Sequence, residues 1–131
     1  LYFLDTGLVC YLLKWTTKET LQNGAMSGQI LETYAVSEIV KSFKNKGIHE
    51  IPIYFYRDKD MKEIDLIVVD QDKLYPIEIK KAMNPVKSMA KNFSVLKRAI
   101  GFVVDKEMIL CLIERNTYLS DNLLAYPIKL I

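Results

Sequence analysis

Two short runs of charged residues carry the chemistry of this 131-residue chain. Glu63-Ile64-Asp65 opens a strand-like stretch that ends at Asp70, and Glu78-Ile79-Lys80 closes a second that begins at Leu74. The polar residues Asp70-Gln71-Asp72-Lys73 between them read as a tight turn. A two-residue hairpin pairs Asp70 with Lys73. Counting back along the ladder, Asp65 is expected opposite Glu78, and Glu63 opposite Lys80. Opposed side chains have Cβ atoms about 4.5–5.5 Å apart. Two carboxylates that close need a proton, a lysine or a divalent cation between them. The chemistry this suggests is metal-dependent hydrolysis. The plainer reading is a solvated sheet face held by a Glu63–Lys80 ion pair.

The elements that must position these groups can be read from periodicity. Asp5 is a helix cap before a short apolar helix, Leu8 to Trp15. Thr16 to Ser27 is polar and reads as a connection with at most a helical turn. Gln29 to Asn45 is the clearest helix, with Ala35, Val36, Ile39, Val40 and Phe43 as its apolar stripe and Gly47 as its stop. Ile51 to Tyr56 reads as a strand, followed by a charged loop, Arg57 to Lys62, and then the two strands of the hairpin. Asn84-Pro85 opens a second helix to about Ala99. Ile100–Val104, Met108–Ile113 and Tyr126–Ile131 read as strands, with a loop over Asn116–Asn122. Alternation on the first hairpin strand puts Asp65 with Ile67 and Val69, and Ile64, Leu66 and Val68 on the other face. This order predicts a mixed α/β layer fold.

A third carboxylate joins the argument from the long helix. At 100° per residue Glu32 falls on the stripe of Val36, Ile39 and Phe43, where an ionised group needs a partner. Glu38 points away. The acidic hairpin face could share a cation with Glu32. The alternative, a structural ion-pair network, has Glu32 facing solvent or bonding only to backbone.

Bulk properties exclude other chemistries. A net charge of +2 with 26% charged residues is ordinary for a globular domain. One histidine, His49, leaves little for histidine-based zinc chemistry. Cys10 and Cys111 lie in apolar text and read as reduced core residues, which suits a cytoplasmic protein. No apolar run approaches the ~18–20 residues that span a bilayer, so no membrane partner is expected. The apolar start carries Asp5 and no basic leader, unlike a signal peptide.

In order, Glu32, Asp65 and Glu78-x-Lys80 resemble the PD-(D/E)xK nuclease superfamily, Holliday-junction-resolvase-like members in particular. A closer resemblance rests on Tyr2-Phe3-Leu4-Asp5-Thr6-Gly7-Leu8, Gly28-Gln29-Ile30-Leu31-Glu32, Tyr56-Arg57-Asp58 to Glu63-Ile64-Asp65, and Pro76-Ile77-Glu78-Ile79-Lys80. These look like the domain of unknown function at the C-terminal end of a large family of bacterial and archaeal AAA-type ATPases. The resemblance covers Tyr2 to about Ala99. It departs from the superfamily pattern at Ile64, which stands where the motif name has proline. No Gly-x-x-x-x-Gly-Lys-Ser/Thr occurs, so no ATP site is expected in this chain.

The resemblance implies a restriction-endonuclease-like core, a central mixed sheet of about four to five strands flanked by helices. It implies a helical extension over 1–27, the remnant of a longer protein, and a nuclease-like domain over 28–131. The implied activity is a divalent-metal-dependent DNA endonuclease; the alternative is a non-catalytic module that docks the ATPase to nucleic acid or protein. Asp65, Glu78, Glu32 and the Ile79 carbonyl would hold Mg²⁺ or Mn²⁺, and Lys80 would orient the attacking water or stabilise the transition state. Arg57, Lys62, Lys81, Lys87 and Lys91 would track a phosphate backbone, although a lysine stripe is more often the wet side of a helix. Tyr54, Phe55 and Tyr56 could stack on bases; consecutive aromatics in a strand are more often core and flanking packing. Partners would be DNA and the ATPase half. Trp15 and the Leu8–Leu13 helix read as packing against the core or the ATPase half; exposed without that half, they could drive formation of a homodimer.

Overall fold

Asp5 caps the first helix, α1 (Thr6–Leu12), where its carboxylate accepts the Leu8 N–H at 2.9 Å. That satisfies one of the amide donors a helix start leaves without an intrahelical partner. The computed structural model describes residues 5–131, and of Lys18 the backbone only; the Tyr2-Phe3-Leu4 part of the motif above lies outside the described residues. α1 stops where Lys14 turns left-handed (φ 57). The Trp15 N–H then donates to the Cys10 carbonyl and the Lys14 N–H to the Tyr11 carbonyl, the paired bonds of a Schellman ending. The polar connection contains a real helix, α2 (Lys18–Asn23), held by a reciprocal Thr17–Thr20 capping box.

The long helix, α3 (Ser27–Asn45), begins at Ser27 rather than Gln29. It ends as expected at Gly47, whose φ of 77 lets Ile48 N–H reach the Phe43 carbonyl. Its most buried residues are Ile30, Ala35, Val36 and Ser37, while Ile39, Val40 and Phe43 are half-buried. α1 and α2 both pack on α3. The chain divides into two compact units, Leu1–His49 and Glu50–Ile131.

The second unit is built on one mixed sheet. Its strands are β1 (Ile53–Arg57), β2 (Glu63–Asp70), β3 (Lys73–Ile79), β4 (Val103–Val104), β5 (Glu107–Cys111), β6 (Thr117–Tyr118) and β7 (Leu123–Pro127). The order is β1-β2-β3-β5-β7-β6, with β4 paired to the start of β3. The expected α/β class with a mixed sheet is present. Among the described residues there are seven strands rather than four or five because β4 and β6 are two-residue pairings, too short to carry an alternation pattern. For the same reason the expected strand Ile100–Val104 shrinks to β4. The last strand ends at Pro127, and Ile128–Leu130 winds into a 3-10 turn instead of extending to Ile131.

The second expected helix is corrected in both start and type. Val86 is still extended, and the chain from Lys87 to Arg98 winds as a 3-10 helix with a break at Ala90 (φ −96, ψ 15). Three residues per turn align every third side chain. Ala90, Phe93 and Leu96 make the buried row, while Ser88, Lys91, Ser94 and Lys97 make an exposed one. The apolar spacing of three suits this winding, and the Ser94 hydroxyl bonds back to the Lys91 carbonyl at 3.0 Å, the local competition that serine offers to α-helical geometry. The buried row closes a core with Ile64, Ile67, Leu74, Ile109, Cys111, Leu123 and Ala125 on one face of the sheet.

The hairpin register is the expected one from Asp70↔Lys73 to Leu66↔Ile77, around a turn in which Gln71 takes a positive φ of 55. It then departs from expectation. On the β1 side, Tyr54 pairs with Ile67 but Tyr56 pairs with Ile64. Three residues of β2 therefore span two of β1, which places a bulge at Asp65-Leu66 opposite Phe55. The extra residue moves Ile64 onto the Ile67 face, into the core and away from Leu66. β1 is an edge strand, and Tyr54 (60% exposed) and Phe55 (72%) are not core residues; only Tyr56 packs against the core.

Candidate active site

The bulge decides where Asp65 points. A regular ladder would give the Ile79 N–H to the Ile64 carbonyl. Instead it donates to Asp65 Oδ2 at 2.7 Å. The carboxylate replaces a ladder bond and is drawn to the end of β3. There it meets Lys80, whose Nζ lies 3.7 Å from Asp65 Oδ2 and 2.6 Å from Glu78 Oε1. Among the described residues Glu78 and Ser37 are the buried polar or charged ones. Lys80 remains half-exposed, so the ammonium sits between a buried carboxylate and water.

β3 fixes these groups because it is flanked on both sides. Glu78 lies beside Ile109 of β5, so Glu78 and Lys80 share the face that the 3-10 helix covers. The Lys80 N–H donates to the Leu110 carbonyl at 2.9 Å, which holds the strand end. Asn92, on the 3-10 helix, donates through Nδ2 to the Glu63 carbonyl at 2.9 Å, tying the helix to the start of β2. Nothing in the sequence singled out Asn92.

Asp65, Glu78 and Lys80 thus come together, with Ile79 between them. Glu63 does not take the expected place: it stands across from Arg57 on β1, and Lys80 turns to Glu78 and Asp65 instead, because the bulge ends the regular register. Glu32 is half-buried on α3, in the other unit. Among the described residues no group of three or more His, Cys, Asp or Glu is arranged to hold a metal ion. The sheet itself contributes two carboxylates.

The cationic residues are exposed but come from separate segments: Arg57 at the end of β1, Lys62 in the β1–β2 loop, Lys81 after β3, and Lys87 and Lys91 on the 3-10 helix. The loop is ordered by Asp58. Its Oδ1 accepts the Asp60 and Lys62 N–H groups at 2.9 Å each, and its Oδ2 accepts the Tyr56 hydroxyl at 3.4 Å. Burial, then the Asp58 charge, pushes the Tyr56 hydroxyl pKa up. Lys62 and Arg98 line one cleft with Tyr56, Asp58, Asp60, Ser94 and Val95. Asp58 in the Tyr-Arg-Asp motif therefore has a turn-building role. Cys111 is buried in the core with its thiol pushed up by burial, an inert environment. No helix among the described residues is long and apolar enough to cross a membrane.

Residues 27–131 match the model of a family described as a domain of unknown function, DUF4143. The chain belongs to that family. The search of curated proteins returned no match.

Proposed function

We propose that this DUF4143 domain is a divalent-metal-dependent phosphodiesterase of the PD-(D/E)xK nuclease type, acting on DNA as part of a longer AAA-type ATPase. The observation that carries the reading is the meeting of Asp65 and Glu78 on Lys80, two carboxylates each within 3.7 Å of one ammonium. The association with ATPases is supported by the family, which is common in AAA-ATPase-associated proteins.

The donor set fits a hard cation. Both carboxylates offer oxygen, as Mg²⁺ and Mn²⁺ prefer, and they already share a positive group. Asp65, Glu78 and the Ile79 carbonyl would hold the ion. The bound ion would polarise a phosphoryl oxygen and lower the pKa of a water. The chain's own groups do the rest. Asp65 is aimed by the Ile79 N–H, so its carboxylate is fixed before any ligand arrives. Lys80 would leave Glu78 to orient the attacking water or to stabilise negative charge on the phosphorus oxygens. Arg57, Lys62, Lys81, Lys87 and Lys91 would steer the backbone.

A second reading, a non-catalytic docking module, is favoured by the 2.6 Å Lys80–Glu78 pair, which neutralises the buried carboxylate without an ion. Two measurements separate them. Calorimetric titration with Mn²⁺ should give binding that Asp65→Asn and Glu78→Gln remove. Nicking of supercoiled plasmid should fall about 10²-fold or more in Lys80→Ala, with Mn²⁺ binding retained. A wild-type chain that neither binds Mn²⁺ nor nicks DNA leaves the docking module as the function.

A further inference from the structure

We propose that β1 is a self-association edge, through which two copies of the chain pair antiparallel about a two-fold axis at Phe55 and join their sheets. Among the described residues the sheet ends in β1 on one side and β6 on the other. β6 is two residues long, and brevity is one way a fold blunts an edge. β1 is five residues, Ile53-Tyr54-Phe55-Tyr56-Arg57, with no proline, no acid and one charge at its end.

The phase of the open edge follows from its bonds. Val69 N–H donates to the Pro52 carbonyl and Asp58 N–H to the Lys62 carbonyl. Residues 52, 54, 56 and 58 are thereby turned toward β2, so Ile53, Phe55 and Arg57 turn their backbone groups outward. The Ile53 N–H is occupied by the Ile51 carbonyl, which leaves Phe55 as the centre of the open row. The bulge in β2 lies opposite this residue, and the rings of Tyr54 and Phe55 are mostly in solvent.

The strand is complementary to itself. Centred on Phe55, antiparallel pairing sets Phe55 against Phe55, Tyr54 against Tyr56 and Ile53 against Arg57. No like charges face each other, and the aromatic cross-strand pairs stabilise the ladder. Closed two-fold pairing is also the commonest symmetry of oligomers. This surface is distinct from the Leu8–Leu13 helix that the sequence suggested for dimerisation.

The test is light scattering and sedimentation of the full 131-residue chain. The wild type should dimerise, and Phe55→Lys, which opposes two lysines on the axis, should weaken the dimer about tenfold or more. Tyr54→Lys serves as the second variant, and circular dichroism checks that each stays folded. In a Cys10→Ser background, Phe55→Cys should form a disulfide-linked dimer on oxidation, because paired Cα atoms about 5.5 Å apart suit the bond. Lys59→Cys, in the loop beyond the strand, should not. A monomer at every concentration, or a dimer indifferent to both lysine variants, overturns the proposal. Neither result bears on metal binding or nicking.

Discussion

Asp65 serves the backbone before it serves any substrate. Its Oδ2 takes the Ile79 N–H at 2.7 Å, so removing the carboxylate leaves a part-buried amide without that acceptor. Asp65→Ala should cost about 1–3 kcal/mol of stability in urea denaturation. Asp65→Asn keeps an oxygen acceptor and should cost less than about 1 kcal/mol, while losing the charge that a cation or Lys80 would meet. If both variants destabilise equally, the charge rather than the hydrogen bond is what matters, and the account of the bulge fails. The pairing of Asp65 with Glu78-x-Lys80 was legible because hairpin spacing alone brings those residues to one end of two strands. The route was not. One extra residue in β2 has no local signature, so the reading that set Glu63 against Lys80 missed the turn of Lys80 toward Glu78. Asn92, which holds the helix to β2, was silent because its partner is a backbone carbonyl, and the turn-building role of Asp58 was hidden because its Oδ1 partners are backbone N–H groups.

At the scale of elements, pattern was legible where the chain alternates or caps itself, and illegible where packing overrides it. Asp5, Gly47 and the β2–β3 turn gave their elements directly. The 3-10 winding of Lys87–Arg98 was missed because apolar residues at 90, 93 and 96 satisfy a helical stripe as well as a period of three. The aromatic strand β1 was misjudged because a run of apolar residues does not say whether a strand is central or at an edge. The connection before α3 hides a packing constraint of the same kind. Gly24 lies against the indole of Trp15: a methyl group there would stand 2.6 Å from Cζ2 and 2.7 Å from Cζ3. The ring must shift to admit it. Gly24→Ala should therefore lower stability by about 1–3 kcal/mol. Trp15 is the only tryptophan, so its fluorescence follows the transition without labelling. An unchanged spectrum and melting temperature would mean that the turn yields freely.

One pH-sensitive contact in the sheet unit is a triad that joins the start of β3 to the segment after β4. Asp105 Oδ2 accepts from Lys73 Nζ at 2.9 Å and from the Tyr75 hydroxyl at 3.0 Å, while its own N–H donates to the Leu74 carbonyl. The Lys73 hydrogen bond, then that of Tyr75, holds the Asp105 carboxyl below its ordinary value of 3.8. The same hydrogen bond to Asp105 raises Lys73, and burial followed by Asp105 raises Tyr75. The signs separate two limbs. A carboxylate depressed on folding contributes stability that is complete above its unfolded pKa and lost as pH falls through the folded one. A raised lysine contributes below its unfolded pKa and loses that contribution as pH rises through the folded value. The triad is therefore intact across the neutral range and fails at both ends. Asp105→Asn should have a lower urea midpoint than the wild type at pH 7, and the gap should narrow as pH falls below about 4, where the wild-type carboxyl also takes up a proton. Lys73→Met should lose its deficit relative to wild type on the alkaline side instead. A gap for Asp105→Asn that stays constant from neutral to acid would show that the residue acts through shape and not through charge. The link between β3 and β4 would then rest on the backbone bonds alone.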